Sequence, residues 1–245
     1  MMKYKIDSDL TKIARQKAPS NIYLYPIVNM VMKLFTCTSD DKVVVNKYVT
    51  PGYENEKLTT FVIEPQKCSG TLPGVIFYHG GGFLLKASKA HYQIAKWYAE
   101  MAKCKVVFTD YRLLPKNKYP VTDRRMITES MKKFTDTPVW DAKRTAMFWK
   151  AYLGNQESGQ IQYASPIEAE SLEHFPNVYI EVAEFDCLRD EGIAFAERLR
   201  SEGVFAELHE VKGACHGFET ALESRIVEKA MQRRIQWIQS VLNKQ

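Results

Sequence analysis

The stretch from Gly74 to Phe83 limits the folds open to this chain more than any other. Gly74-Val75-Ile76-Phe77-Tyr78 is a short apolar run rich in β-branched and aromatic residues, which reads as a buried strand. It breaks at once into His79-Gly80-Gly81-Gly82. Consecutive glycines let the backbone turn sharply and approach a ligand, because no Cβ stands in the way. Their N–H groups can point at a developing negative charge, as an oxyanion-stabilising loop requires. The plain alternative is a turn that only joins a strand to a helix.

The rest of the chain falls into order around that stretch. Val43 to Val49 and Leu58 to Ile63 are β-rich runs on either side of Pro51-Gly52, and they predict an antiparallel hairpin at a sheet edge. Ser88 to Lys103 predicts a helix capped by Ser88, with Ile94, Trp97, Tyr98 and Met101 on one face. Lys105 to Thr109 is another buried strand, leading into Asp110-Tyr111-Arg112-Leu113-Leu114-Pro115. Val139 to Leu153 reads as a helix stopped by Gly154. Asn177 to Ala183 and Phe205 to Val211 read as strands. Asp190 to Ser201, closed by Gly203, and Ala221 to Leu242 read as helices. Lys3 to Phe35 reads as largely helical and outside the sheet. Strands alternating with helices imply an α/β fold with a mostly parallel sheet wrapped on both faces. The length of 245 residues fits a single domain over residues 1–245.

Composition narrows the function classes. The net charge is +5, but Lys and Arg are scattered, with no run of them beside aromatics. That is a solvated surface and not a nucleic-acid footprint. Cys37, Cys68, Cys104, Cys187 and Cys215 show no C-x-x-C spacing. An odd number of cysteines without a signal peptide implies reduced thiols in a cytoplasm. No metal and no cofactor are expected. Asn21 to Phe35 is apolar but interrupted by Pro26, Asn29 and Lys33. It is shorter than the roughly 20 residues a membrane span needs. It reads as an amphipathic helix covering something, with a membrane-surface role as the alternative.

Five motifs in sequence resemble the α/β-hydrolase fold, and within it the hormone-sensitive-lipase-like esterases of the acetyl esterase/lipase type. They are His79-Gly80-Gly81-Gly82-Phe83, Asp110-Tyr111-Arg112-Leu113, Tyr163-Ala164-Ser165-Pro166, the run from Glu184 to Gly192, and Cys215-His216-Gly217-Phe218. The resemblance covers most of the chain. It implies a three-layer sandwich and hydrolysis of a short-chain, small-molecule carboxylic ester. It implies that Gly81 and Gly82 donate amides to the oxyanion while His79 and Gly80 support that loop. It makes His216 the general base and Asp186 its orienting carboxylate, the roles these residue types play in a Ser-His-Asp triad. Asp190 competes with Asp186 for that role, but it opens a helix and reads as an N-cap. Residues 1–42 and 124–154 are expected to form cap segments over an acyl pocket.

One member of the triad is missing. No serine lies in G-x-S-x-G, the pattern of a nucleophile on a strand-to-helix turn. Ser69 and Ser158 each precede a glycine but lack one two residues before. Tyr119-Pro120-Val121-Thr122-Asp123-Arg124-Arg125-Met126 resembles two family segments spliced together. The central elbow strand, its neighbour and their helices are then absent, at least roughly 50 residues by mean element lengths. Gly213-Ala214-Cys215-His216-Gly217 has the spacing G-x-C-x-G, yet Cys215 reads as filler beside the base. The chain is therefore expected to be a weak or inactive ester hydrolase of low stability, with a truncated remnant or an acyl-binding pseudoenzyme as the alternative.

Overall fold

A computed structural model describes residues 3–52, 56–68, 70–114, 126–153 and 165–243. Ser69, Pro115, the splice from Tyr119 to Arg125, Gly154, Ser158 and Tyr163-Ala164 lie outside the described residues. The chain divides into two compact units, Met1–Ile22 with Lys118–Val227, and Tyr23–Asn117 with Glu228–Gln245.

The second unit is built on a four-stranded sheet of order β1-β2-β4-β3. Strands β1 (Val43–Pro51) and β2 (Lys57–Pro65) form the expected antiparallel hairpin, with Val43 opposite Pro65 and Val49 opposite Thr59. Strand β4 (Lys105–Asp110) runs antiparallel to β2 and parallel to β3 (Gly74–Phe77). With a neighbour on each side, β4 fully buries Val106 and Phe108. Helix α2 (Lys89–Ala102) begins in a capping box: Ser88 Oγ accepts from the His91 amide, and His91 Nδ1 accepts from the Ser88 amide at 3.0 Å. It packs Tyr98 on Phe77 and Tyr92 on Phe108, with ring centroids 5.9 and 5.0 Å apart. Met101, expected on the buried face, is 45% exposed. The face centres instead on Ala95, Ala99 and Ala102, small residues that let the helix approach the sheet.

Strand β3 is less buried than its apolar composition suggests. Phe77 stacks on Phe108 at 5.2 Å, but Ile76 is 64% exposed and the following Tyr78 69% exposed. Among the described residues, β3 is the last strand of its sheet, with β4 on one side only. Ahead of the sheet, α1 (Tyr25–Met32) buries Tyr25 and Asn29. Helix α6 (Arg225–Leu242), from Glu228 onward, belongs to this unit and donates from Gln239 Nε2 to Met101 O at 2.9 Å.

In the first unit, β5 (Val178–Phe185) and β6 (Ala206–Cys215) pair in parallel. They are joined through α5 (Arg189–Ser201). The core there is Leu172, Ala196, Leu199, Val204 and Ala206, with Val178, Ile180 and Leu208 against it. Two short helices, α3 (Glu129–Lys133) and α4 (Ala142–Leu153), complete the unit. Helix α4 starts three residues later than expected, because Val139 is left-handed at φ 61° and Asp141 Oδ1 caps the Arg144 amide at 3.0 Å. Asp190 is not an N-cap either. Leu188 holds that position, and Asp190 Oδ2 accepts from the Ser130 amide of α3 at 2.7 Å. The N-terminal stretch is also less helical than expected. Ser8–Leu10, Ile13–Arg15 and Ile22–Leu24 are single 3-10 turns, separated where Gln16 is extended and by Pro19, which has no amide to donate. Among the described residues no helix is long and apolar enough to cross a membrane.

Candidate active site

Asp186 directly follows β5 and His216 directly follows β6. The parallel register sets Phe185 beside Cys215, so the next residue on each strand brings carboxylate and imidazole together. His216 Nδ1 donates to Asp186 Oδ2 at 2.9 Å. The Leu188 amide donates to the other oxygen, Oδ1, at 2.9 Å. Burial alone would push the Asp186 carboxyl up, but the facing His216 charge and its hydrogen bond hold it below the ordinary value. Burial is the largest single influence and opposes the charged imidazole, but the Asp186 charge, its hydrogen bond and the Glu219 charge together outweigh it, so His216 is raised above its ordinary value. The His216 side chain keeps 34% exposure, and among the described residues Nε2 has no hydrogen-bond partner. Trp140 lies 6.1 Å from the imidazole, ring to ring. The pair is thus an oriented, single-tautomer base with one ring nitrogen open.

The glycine loop belongs to the second unit. Gly81 has φ 118°, and a Cβ there would meet Leu85 O at 3.1 Å, so only glycine fits. Gly82 at φ 58° and Phe83 at φ 53° continue the left-handed turn. Among the described residues no acceptor takes the amide of Gly81 or Gly82. His79 is buried, and its Nδ1 donates to Gly80 O at 2.7 Å. Burial lowers its pKa, which keeps the ring neutral. Its ring stacks on Tyr111 at 4.3 Å, and the Tyr111 hydroxyl donates to His79 O at 2.5 Å. On the far side of the loop, Asn29 Nδ2 donates to Leu84 O and Asn29 Oδ1 accepts from Lys86 N, both at 2.8 Å. A Cβ on Gly80 would lie 3.6 Å from His91 Nε2.

Burial disfavours the thiolate of the cysteine beside the base. Cys215 is fully buried, and burial, followed by the Asp186 charge, pushes its pKa up to about 12. A thiol in that state supplies no thiolate near neutrality. Among the described residues no group of His, Cys, Asp and Glu could hold a metal ion.

A family model described as "alpha/beta hydrolase fold" matches residues 75–123 and 118–220. The chain belongs to the α/β-hydrolase family. The two matches to that family overlap over residues 118–123. This α/β-hydrolase is 25% identical over 209 residues to the esterase LipI of Mycobacterium tuberculosis (strain ATCC 25618 / H37Rv), an alignment covering 60% of this chain and 65% of LipI. It is 39% identical over 103 residues to Lipase 2 of Moraxella sp. (strain TA144), covering 41% of this chain and 23% of that lipase. The chain thus spans less than two thirds of the length of either relative. Among solved structures, the esterase LipW from Mycobacterium marinum superposes with a TM-score of 0.86 at 21% identity, covering 96% of each chain, a likeness of fold.

Of the residues singled out in the sequence, the structure brings His216 and Asp186 into contact, and His79 and Gly80 into one hydrogen-bonded turn with Gly81 and Gly82. Asp190 is bound to Ser130 and Arg189 and has no part in the pair. Sequence reading gave no role to Tyr111, Asn29 or Trp140. Tyr111 was inside a recognised motif and was a findable loop support. Asn29 was visible only as a break in an apolar run.

Proposed function

We propose that this chain carries the proton-transfer and oxyanion parts of a short-chain carboxylic-ester hydrolase and lacks its attacking group. The reading rests on one observation: Asp186 holds His216 Nδ1 at 2.9 Å, while Nε2 meets no hydroxyl or thiol among the described residues. In acyl transfer a serine oxygen bonds to the acyl carbon as its proton passes to the imidazole. The carbonyl electron pair moves onto oxygen, where N–H donors stabilise it. Collapse then expels the alkoxide, which takes the proton back from the imidazole, and water repeats the cycle. Here His216 is the proton carrier, Asp186 stabilises its charged form, and Gly81 and Gly82 are assigned as the donors.

Three observations support the absence of the serine. No serine in the full sequence lies in G-x-S-x-G. The family matches overlap over residues 118–123, as a splice of two family segments at Tyr119-Pro120 would produce. The 209-position alignment to LipI also takes in only 60% of this chain's 245 residues, so many positions of that relative face nothing here. A second reading, a truncated remnant or acyl-binding pseudoenzyme, is favoured by the same missing hydroxyl.

The test is hydrolysis of p-nitrophenyl acetate and butyrate by the whole chain, Cys215→Ala and His216→Ala. Turnover should be weak or undetectable, because the pieces left after loss of a nucleophile retain about 10³–10⁴-fold over water at most. Fast turnover that survives Cys215→Ala would reveal a nucleophile and overturn the reading. A burst lost with Cys215 would assign attack to the thiol. Saturable butyrate binding without turnover would establish the pseudoenzyme.

A further inference from the structure

Helix α1 and its flanks expose an apolar stripe that the hydrolase reading leaves unused. Leu24, Ile27, Met30, Val31 and Leu34 are 46%, 64%, 73%, 58% and 80% exposed. Their spacing of three and four residues sets them on one side of the helix. The opposite side is fixed by buried Tyr25 and by Asn29, which bonds Leu84 O and Lys86 N. The stripe therefore cannot turn inward without breaking those bonds. Five large apolar side chains exposed together mark an interaction surface.

Charge decides which partner fits. Within the unit that carries α1, the run from Tyr23 to Ser39 contains Lys33 and not one Asp or Glu. Lys33 is exposed at the end of α1, and exposed Lys89 lies with its ammonium 5.0 Å from the Phe35 ring, next to Leu34. Cations bordering an apolar stripe complement an anionic lipid headgroup layer with acyl chains beneath it. A second copy would set the same cations against each other.

We propose that α1, through Leu24, Ile27, Met30, Val31 and Leu34, docks this protein in the plane of an anionic lipid surface. The docking is independent of ester hydrolysis.

Co-sedimentation of the full chain with large unilamellar vesicles tests this, using phosphatidylcholine alone and phosphatidylcholine mixed with phosphatidylglycerol. The chain should bind the mixed vesicles more tightly, and added salt should weaken that binding. Ile27→Asp with Leu34→Asp should lower binding at least about tenfold with an unchanged circular dichroism spectrum. Should that pair disturb the fold, the milder Met30→Gln should still lower binding. Lys33→Glu with Lys89→Glu should abolish the preference for the anionic mixture and leave weak binding to both. The proposal fails if the chain ignores mixed vesicles, or if the apolar variants bind as the unaltered chain does. It also fails if the chain is a dimer that Ile27→Asp with Leu34→Asp dissociates, which would give the stripe to a second copy.

Discussion

Asp186 stays ionised in a buried position because His216 faces it and the Leu188 amide caps its second oxygen. The two pKa shifts set a pH window. His216 is raised in the fold, so its stabilisation is complete below the unfolded value of about 6.5 and is lost as pH rises through the higher folded value. Asp186 is lowered, so its stabilisation is complete above about 3.9 and is lost as pH falls through its folded value. Both are in force between about 4 and 6.5. Asp186→Asn should cost about 1.5–3 kcal/mol in that window, the worth of a hydrogen bond to a charged group. It should also return the His216 titration, followed by proton NMR, toward lower pH. The thiols give a second check. Burial pushes Cys37 and Cys104 to about 11 and Cys187 and Cys215 to about 12, while Cys68 is exposed. Ellman's reagent should find one fast thiol in the native protein and five after denaturation. At this scale the sequence was readable where chemistry forces a residue type, as at His216 and Gly81. It misled at Asp190, because an acidic residue in a first helical turn looks the same whether it caps its own helix or reaches to Ser130.

Two glycines occupy positions that a methyl group would disturb. A Cβ on Gly192 of α5 would sit 2.6 Å from Val182 Cγ1 of β5, the strand that delivers Asp186. Gly192→Ala should destabilise the protein by about 1–3 kcal/mol through overpacking, read in urea unfolding. Gly81→Ala should cost a comparable 1–3 kcal/mol, roughly, for a different reason: its φ of 118° is a backbone region that alanine avoids. Strand and helix positions were largely legible because apolar periodicity and breakers are local signals. Burial of β3 was not, since apolar composition does not show whether a strand lies inside its sheet or at its end. The helix over Lys3 to Phe35 was overread, because apolar spacing alone does not show where the hydrogen-bond ladder is interrupted.

For the molecule as a whole, the exposed Ile76 and Tyr78 at β3, the last strand of the described sheet, are a liability for aggregation. Thermal unfolding followed by circular dichroism is expected to be broad and centred below the about 45–65 °C usual for mesophilic domains. Ile76→Lys should slow aggregation on heating without lowering the midpoint. A sharp, high-temperature transition would contradict both statements. The family was legible from five local motifs, each carried by a few adjacent residues. One further consequence starts at His91, whose Nδ1 closes the capping box of α2 and whose Nε2 neighbours Gly80. Burial first, then His79, depresses its pKa to about 4, so the unfolded chain takes up this proton more readily than the native one. Mild acid, from about pH 6.5 downward, therefore favours release. Once His91 is protonated it can no longer accept the Ser88 amide, and souring the solution should fray the start of α2 and unseat the amide turn beside it.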